Sequence, residues 1–350
     1  MKFGLLFVLS TLALGQGWGR REAARPWLQG RFIEAEQQFA RMRPAIPNLA
    51  QPYLWEAEFE IERGRFGRAA ALINEAKSLR TADSDELPER RQALLLMSVG
   101  RFAEAYKTAL EGYRWDGRDA RKLKVGAAMD LVVLGEITLE EGRFSDAIGI
   151  LEKARDRAKN TSSLDGLEWV RAQNDIAVAN VGLGATQAAL VVAESALSAA
   201  ETEWGMNSIP ATDLIDTIGL IQGYQSDFKN AAISLAQSRI WRETTYGQSH
   251  PKVASSYMHA AVLSAAQTNN ADALRFATHA LEIEQSFAVG PNGRFALALL
   301  SGAEIFERIG ETEKAKTCYQ SALPVLEREL GLDTPRLVNA KNHLEDLLRK

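Results

Sequence analysis

Apolar and polar positions follow one another along this chain with a helical period. In DLVVLGEITLEEG (130–142) and FSDAIGILEKARDRA (144–158) the apolar residues recur at three- to four-residue spacing, so each segment carries one apolar stripe. A Gly-Arg-Phe corner joins the two. The same corner returns as QGRFIEA at 29–35, RGRFGRA at 63–69, VGRFAEA at 99–105 and EGRFSDA at 141–147. The pattern predicts pairs of helices. The Gly ends the first helix of each pair, because Gly takes the left-handed cap conformation without a Cβ penalty. The Phe fills the space at the turn. No stretch of the chain reads as a strand.

The repeat runs further than the motif. The Ala closing each corner stands at 35, 69, 105 and 147, with steps of 34, 36 and 42. Continuing at 42 gives Ala189, Ala231, Ala273 and Ala315, although GRF has gone from those copies. Twelve residues before each Ala lies a second column: Ala23, Ala57, Ala93, Gly135, Ala177, Gly219, Ala261 and Ala303. Seven residues after lies a third: Met42, Ala76, Gly112, Ala154, Ala196, Ser238, Ala280 and Ala322. Two helices pack closely only where small residues let their backbones approach, so these columns predict the contact points within and between hairpins.

Fixed-period helical hairpins of this kind resemble the tetratricopeptide repeat (TPR). The 42-residue copies resemble the longer variant of kinesin light chains: TYGQSHPKVASSYMHAAVLSAAQTNNADALRFATHALEIEQ (245–285) carries that variant's Tyr-Gly and His-Pro lead-in. LGLDTPRLVNAKNHLEDLLRK (330–350) repeats the lead-in, with Thr334 expected to cap a last helix and Pro335 to open it. The resemblance implies an all-α, right-handed α-solenoid of about eight hairpins. A solvating capping helix closes it at 334–350. Shorter repeats occupy 16–120 and 42-residue repeats 121–330, in one continuous array over 16–350. The eight extra residues of a long repeat lengthen its helices, while RPAIPN (43–48), TADSDELP (81–88), KNTSSLDG (159–166) and AVGPNG (288–293) join repeats. Pro26 should leave the first helix short or frayed.

The N-terminus changes the picture. Lys2 precedes an apolar run, FGLLFVLSTLAL (3–14), too short to span a bilayer but suited to a secretory signal cleaved after Gly15. Residues 1–15 are therefore expected to be removed, leaving an exported (periplasmic or extracellular) protein with no stable membrane insertion. Cys318, the one cysteine in 350 residues, allows neither an internal disulfide nor a cysteine zinc site. Net charge is −4, spread as +3 over residues 1–121 and −7 over the rest. No basic stripe stands out, so nucleic acid is not an expected partner. A shortened first repeat would expose Trp18 and Trp27 and favour a homodimer.

Little in the sequence suggests chemistry. His250, His259, His279 and His343 show no metal spacing completed by a carboxylate, no phosphate-cradling glycine loop is present, and no serine has a nucleophile-elbow context. Neither cofactor nor metal is expected, and the chain is expected not to be an enzyme. In TPR arrays the first helices face a concave groove that binds extended peptides. Carried over by register, the lining comprises Glu58, Glu62, Arg90, Arg91, Glu136, Glu140, Arg171, Asn174, Asp175, Asp213, Asp216, Tyr224, Met258, His259, Glu304 and Arg308. The paired asparagines of the kinesin light-chain type are kept only at Asn174. The resulting expectation is an exported, non-enzymatic scaffold or adaptor. Its mixed, net acidic groove would bind a protein or peptide carrying Lys or Arg. The alternatives are a regulatory or substrate-presenting subunit of an enzyme or assembly complex, and a cytoplasmic adaptor whose first residues are not a signal.

Overall fold

The computed structural model describes residues 20–45, 48–79, 87–116, 126–159, 165–288 and 292–349. The expected signal and its cleavage point lie outside them, as do most of the residues proposed to join repeats. The described residues form seventeen helices. They pair as α1 (Arg20–Leu28) with α2 (Phe32–Ala45), α3 (Gln51–Glu62) with α4 (Phe66–Ser78), α5 (Pro88–Ser98) with α6 (Phe102–Asp116), and α7 (Gly126–Glu140) with α8 (Phe144–Lys159). The longer pairs are α9 (Asp165–Gly182) with α10 (Thr186–Trp204), α11 (Ile209–Tyr224) with α12 (Phe228–Tyr246), α13 (Pro251–Ala266) with α14 (Asn270–Phe287), and α15 (Gly293–Arg308) with α16 (Thr312–Leu330). A single helix, α17 (Pro335–Arg349), follows.

The small-residue columns are where helices meet. All eight corner alanines, Ala35 through Ala315, have no exposed surface. A Cβ on Gly135 would lie 2.5 Å from Leu151 Cδ2, and one on Gly219 2.8 Å from Leu235 Cγ. The extra length of the later repeats goes into both helices: α3 and α4 have 12 and 13 residues, α11 and α12 have 16 and 19. First helices form the inner layer. Ten residues of α3 are buried against four of α4, because α3 is covered on both sides and α4 on one.

Every corner closes in the same way. The residue after the turn bonds back five positions, as in Arg65 N to Glu60 O at 2.8 Å and Glu311 N to Phe306 O at 2.8 Å, the Schellman arrangement. Glycine fills the left-handed position in six corners; in the sixth and seventh hairpins Ser226 (φ 64°) and Thr268 (φ 58°) take it instead.

At 9 residues α1 is the shortest described helix, as expected of a segment with Pro26, although Pro26 does not end it. It lies in the last turn, and the helix runs on to Leu28. Trp27 is 2% exposed and packs on Phe59 at 6.0 Å between ring centroids, so it offers no surface to a second copy. Thr334 precedes α17, yet its Oγ1 is buried without a hydrogen bond and does not cap it.

The array also coils back on itself. The first four corners rest on residues some five hairpins later. Gly30 faces Thr245 and Trp241, Gly64 faces Phe287 and His250, Gly100 faces Gly293 and Arg294, and Gly142 faces Arg336. Backbone bonds cross this seam from Gly293 N to Gly100 O at 2.9 Å and from Arg336 N to Glu141 O at 3.2 Å. The fifth and eighth corners have no such neighbour among the described residues: around Gly184 and Gly310 a Cβ would meet nothing within 4 Å. So Gly-Arg-Phe marks the four corners that must admit a second turn of the coil. The Phe belongs to this contact too. Phe102 lies under Gly293, and Phe32 meets the Tyr246 ring at 5.5 Å. Helix α17, expected to be a partnerless cap, docks its N-terminus on the fourth corner.

Candidate functional site: the interior of the coil

Closing the seam turns the expected open groove into an interior. Glu58 is 1% exposed and accepts from Arg91 Nη2 at 3.4 Å and Arg171 Nη1 at 3.3 Å. Arg90 does not line a groove. It is buried between helices, with its Nε 3.2 Å from Asp130 Oδ2. Gly112 makes room for that carboxylate, since a Cβ there would lie 2.9 Å from both Asp130 oxygens.

Further along the axis, carboxylates and cations interleave. Lys252 Nζ bridges Glu62 at 3.0 Å and Asp213 at 2.7 Å. Arg242 reaches Asp213 at 2.8 Å and Asp216 at 3.0 Å, and donates to Ser256 Oγ at 2.8 Å. Asp216 also takes His259 Nδ1 at 2.6 Å and the Ser238 hydroxyl at 2.7 Å. Burial opposes the charged form of Asp216, but Arg242 and His259 outweigh it and hold its carboxyl far below the usual range. Asp213 behaves alike: burial is overcome by Lys252 and Arg242. The Tyr246 hydroxyl donates to Glu62 at 2.6 Å, and burial together with Glu62 pushes it well above an ordinary tyrosine. His250, N-cap of α13, stacks on Tyr246 at 4.4 Å, and burial pushes it down to about 3.

Two cavities remain along the axis, adjoining at Met97 and Ser98. One, about 230 Å³, is lined by Glu62, Glu136, Arg171, Asp175, Asp213 and Lys252 together with apolar side chains of α1, α5, α9 and α11. The other, about 410 Å³, has an apolar wall of Met97, Phe102, Met258 and Leu297, with His259 and Ser255 beside it. Its charged edge is already paired, Glu140 with Arg336 and Glu284 with Arg294.

The structure thus gathers Glu62, Glu136, Arg171, Asn174, Asp175 and Asp213 around one cavity and Glu140, Met258 and His259 around the next. Asn174 holds the Thr217 hydroxyl at 2.8 Å, linking neighbouring repeats at the slots where the kinesin type has asparagine. Tyr224, Glu304 and Arg308 are exposed and stand apart. Asp213 and Asp216 are not offered to an outside cation, since Arg242, Lys252 and His259 already satisfy them.

Arg242, Tyr246 and Lys252 are absent from the register-derived set because they come from the end of a second helix and from the lead-in. A signal for Lys252 was present: Lys252, Arg294 and Arg336 recur at a step of 42. Each basic side chain crosses the seam to the residue two places before a corner glycine, namely Glu62, the Ser98 carbonyl and Glu140.

Among the described residues no three His, Cys, Asp or Glu side chains are grouped to hold a metal ion, and no described helix is long and apolar enough to cross a membrane.

The chain matches no protein-family model, and no curated protein matches it in sequence. Solved structures do match. A Rap protein complexed with competence and sporulation factor aligns with TM-score 0.62 at 14% identity, over 85% of this chain and 87% of that one. The Rap conjugation gene regulator of plasmid pLS20, in complex with a Phr peptide, aligns with TM-score 0.50 at 13% identity, over 85% and 96%. A Podosopora anserina kinesin light chain with nearly identical TPR-like repeats aligns with TM-score 0.38 at 14% identity, over 57% and 94%. Built of eight helical hairpins and aligned with the Rap structures over 85% of its length, the chain has a TPR-type repeat fold, an all-α solenoid.

Proposed function

We propose that this protein is a non-enzymatic, peptide-binding adaptor or regulator, exported by its N-terminal apolar run, whose ligand sits in the interior of the coil. One observation carries the reading. Polar side chains from six first helices, α3 through α13, converge on an axial space that still holds two adjoining cavities. A solenoid needing only stability would fill that space with apolar side chains, since buried charge returns little net stability even when paired. The Rap structures of the same fold, two of them determined with a peptide or signalling factor, support a peptide or protein partner. The larger cavity lies within the usual size of ligand sites, roughly 300–1,000 Å³. The interior provides charged, polar and apolar binding groups side by side, which supports a binding role.

The test is selection of short random peptides against the whole chain, repeated with Met258→Trp, which fills the larger cavity. Peptides that bind the native chain and lose affinity for the variant support the reading. Selected peptides indifferent to the variant, or none at all, overturn it. For export, the N-terminus of the protein recovered from its host decides: a chain beginning at Gln16 supports it, and a retained Met1 refutes it.

A further inference from the structure

The inward charges of the coil can be matched against one another. Glu58 is held by Arg91 and Arg171, Glu62 by Lys252, Asp213 by Lys252 and Arg242, Asp216 by Arg242 and His259, and Glu140 by Arg336. Two carboxylates are left over. Among the described residues, no ion pair reaches Glu136 or Asp175, and both face the cavity of about 230 Å³. Asp175 Oδ2 is enclosed and accepts no hydrogen bond. The acids lining this cavity are Glu62, Glu136, Asp175 and Asp213, the bases Arg171 and Lys252, so with every acid ionised its net charge is −2. Unmatched charge in such a space is costly. A cationic guest removes the cost; a neutral or anionic one does not.

We infer that this cavity receives the cationic end of a lysine or arginine side chain, held by Glu136 and Asp175, while the adjoining cavity takes an apolar side chain of the same peptide. The inference rests on the peptide-binding reading above and deepens it. At about 230 Å³ the first cavity suits one side chain, not a whole ligand. The second, at about 410 Å³, presents Met97, Phe102, Met258 and Leu297, and its charged groups are already paired with each other. Met97 and Met258 both line that cavity, and the flexible thioether of Met adapts to differently shaped apolar guests. Together the two cavities select for a basic residue with an apolar residue close by.

Proton binding competes with the guest. Burial, aided by Glu140 and opposed by Arg171 and Lys252, pushes Glu136 up to about 7, and burial and Glu136 push Asp175 well up as well. Glu62 and Asp213 face the same space from α3 and α11, whereas α5 contributes only Leu94, Met97 and Ser98. A cation entering must displace that proton, so affinity rises with pH from about 6 to 8.

The test uses the full chain and blocked tetrapeptides in which lysine is next to leucine or one residue from it. Matched peptides carry norleucine in place of lysine or serine in place of leucine. Binding is measured by calorimetry at pH 6 and pH 8, on the native chain and on Glu136→Gln/Asp175→Asn. That variant removes uncompensated charge and keeps side-chain shape, so it folds. The expected result is lysine–leucine binding that falls about tenfold with either peptide change or with the variant, and that weakens at pH 6. Equal binding of lysine and norleucine peptides, or an unaffected variant, overturns the inference. If random selection yields channel-binding peptides without basic residues, the inference fails and the peptide-binding reading stands. If selection yields no peptide at all, both fail.

Discussion

The amide of Gly293 donates to the carbonyl of Gly100 at 2.9 Å, joining the eighth hairpin to the third. Neither residue can carry a side chain there. A Cβ on Gly100 would sit 2.2 Å from the Arg294 nitrogen, and one on Gly293 2.5 Å from the Gly100 oxygen. Two glycines face each other so that two turns of the coil can touch through their backbones.

Gly100→Ala and Gly184→Ala therefore separate two effects. Both positions have positive φ, 77° and 75°, so each alanine costs about 1–2 kcal/mol of left-handed strain. Only Gly100→Ala also drives a methyl into backbone across the seam. The expected outcome is a clearly larger loss of stability in urea for Gly100→Ala, with an increase in radius of gyration by small-angle scattering. Gly184→Ala keeps its dimensions. Equal behaviour of the two would mean that the seam does not hold the coil closed.

Gly135→Ala inverts the usual rule for helices. Alanine gains about 1 kcal/mol over glycine in a helix interior. At Gly135 the new methyl meets Leu151 at 2.5 Å, and overpacking costs about 1–3 kcal/mol. Net destabilisation is expected in thermal unfolding. A stabilised variant would show that α7 and α8 have room to separate.

Arg90 and Asp130 form a pair only 2% and 1% exposed. Arg90→Ala removes a buried charge partner of Asp130 and is expected to cost about 3–5 kcal/mol. Adding Asp130→Asn should recover part of that loss. A double-mutant cycle in urea measures the coupling, and additive losses would argue against it.

Glu136 gives stability a pH dependence opposite to that of its paired neighbours. Its folded-state pKa, about 7, lies above the unfolded value of 4.5, so the native chain holds the extra proton between them. This contribution is full below pH 4.5 and is lost as pH rises to about 7. Glu136→Gln is thus expected to stabilise the peptide-free protein at pH 8, by about 2 kcal/mol, and to change little at pH 4.5. His250 works the other way. Burial keeps it neutral, so stability is lost as pH falls from 6.5 towards 3. Melting curves of native and Glu136→Gln protein across pH 4.5–8 check the sign.

The fold was legible because small residues recur wherever helices approach, and the spacing of Ala35 to Ala315 records those approaches directly. The inner position of Glu58, Glu62, Glu136 and Asp213 followed from the same register. Their state did not. Whether a carboxylate meets solvent, a cation or another carboxylate depends on which hairpins lie opposite across the axis, and that depends on the pitch of the coil. Pitch arises from small rotations accumulated over five hairpins, and no local pattern encodes it. Its traces were nonetheless present, in the loss of Gly-Arg-Phe after the fourth corner and in the basic column at 252, 294 and 336.

The seam also changes what kind of object this solenoid is. In an open repeat array each unit answers only to its neighbours, so units can be gained or lost, and the ends can unravel while the middle stays intact. Here a whole unit removed from the middle would leave every local contact satisfied and yet throw all four corners out of phase with their docking residues. The number of repeats is thereby fixed, as teeth are fixed in meshed gears. The two ends of the chain share one fate: α17 cannot leave without freeing the fourth corner, and melting becomes a property of the whole array.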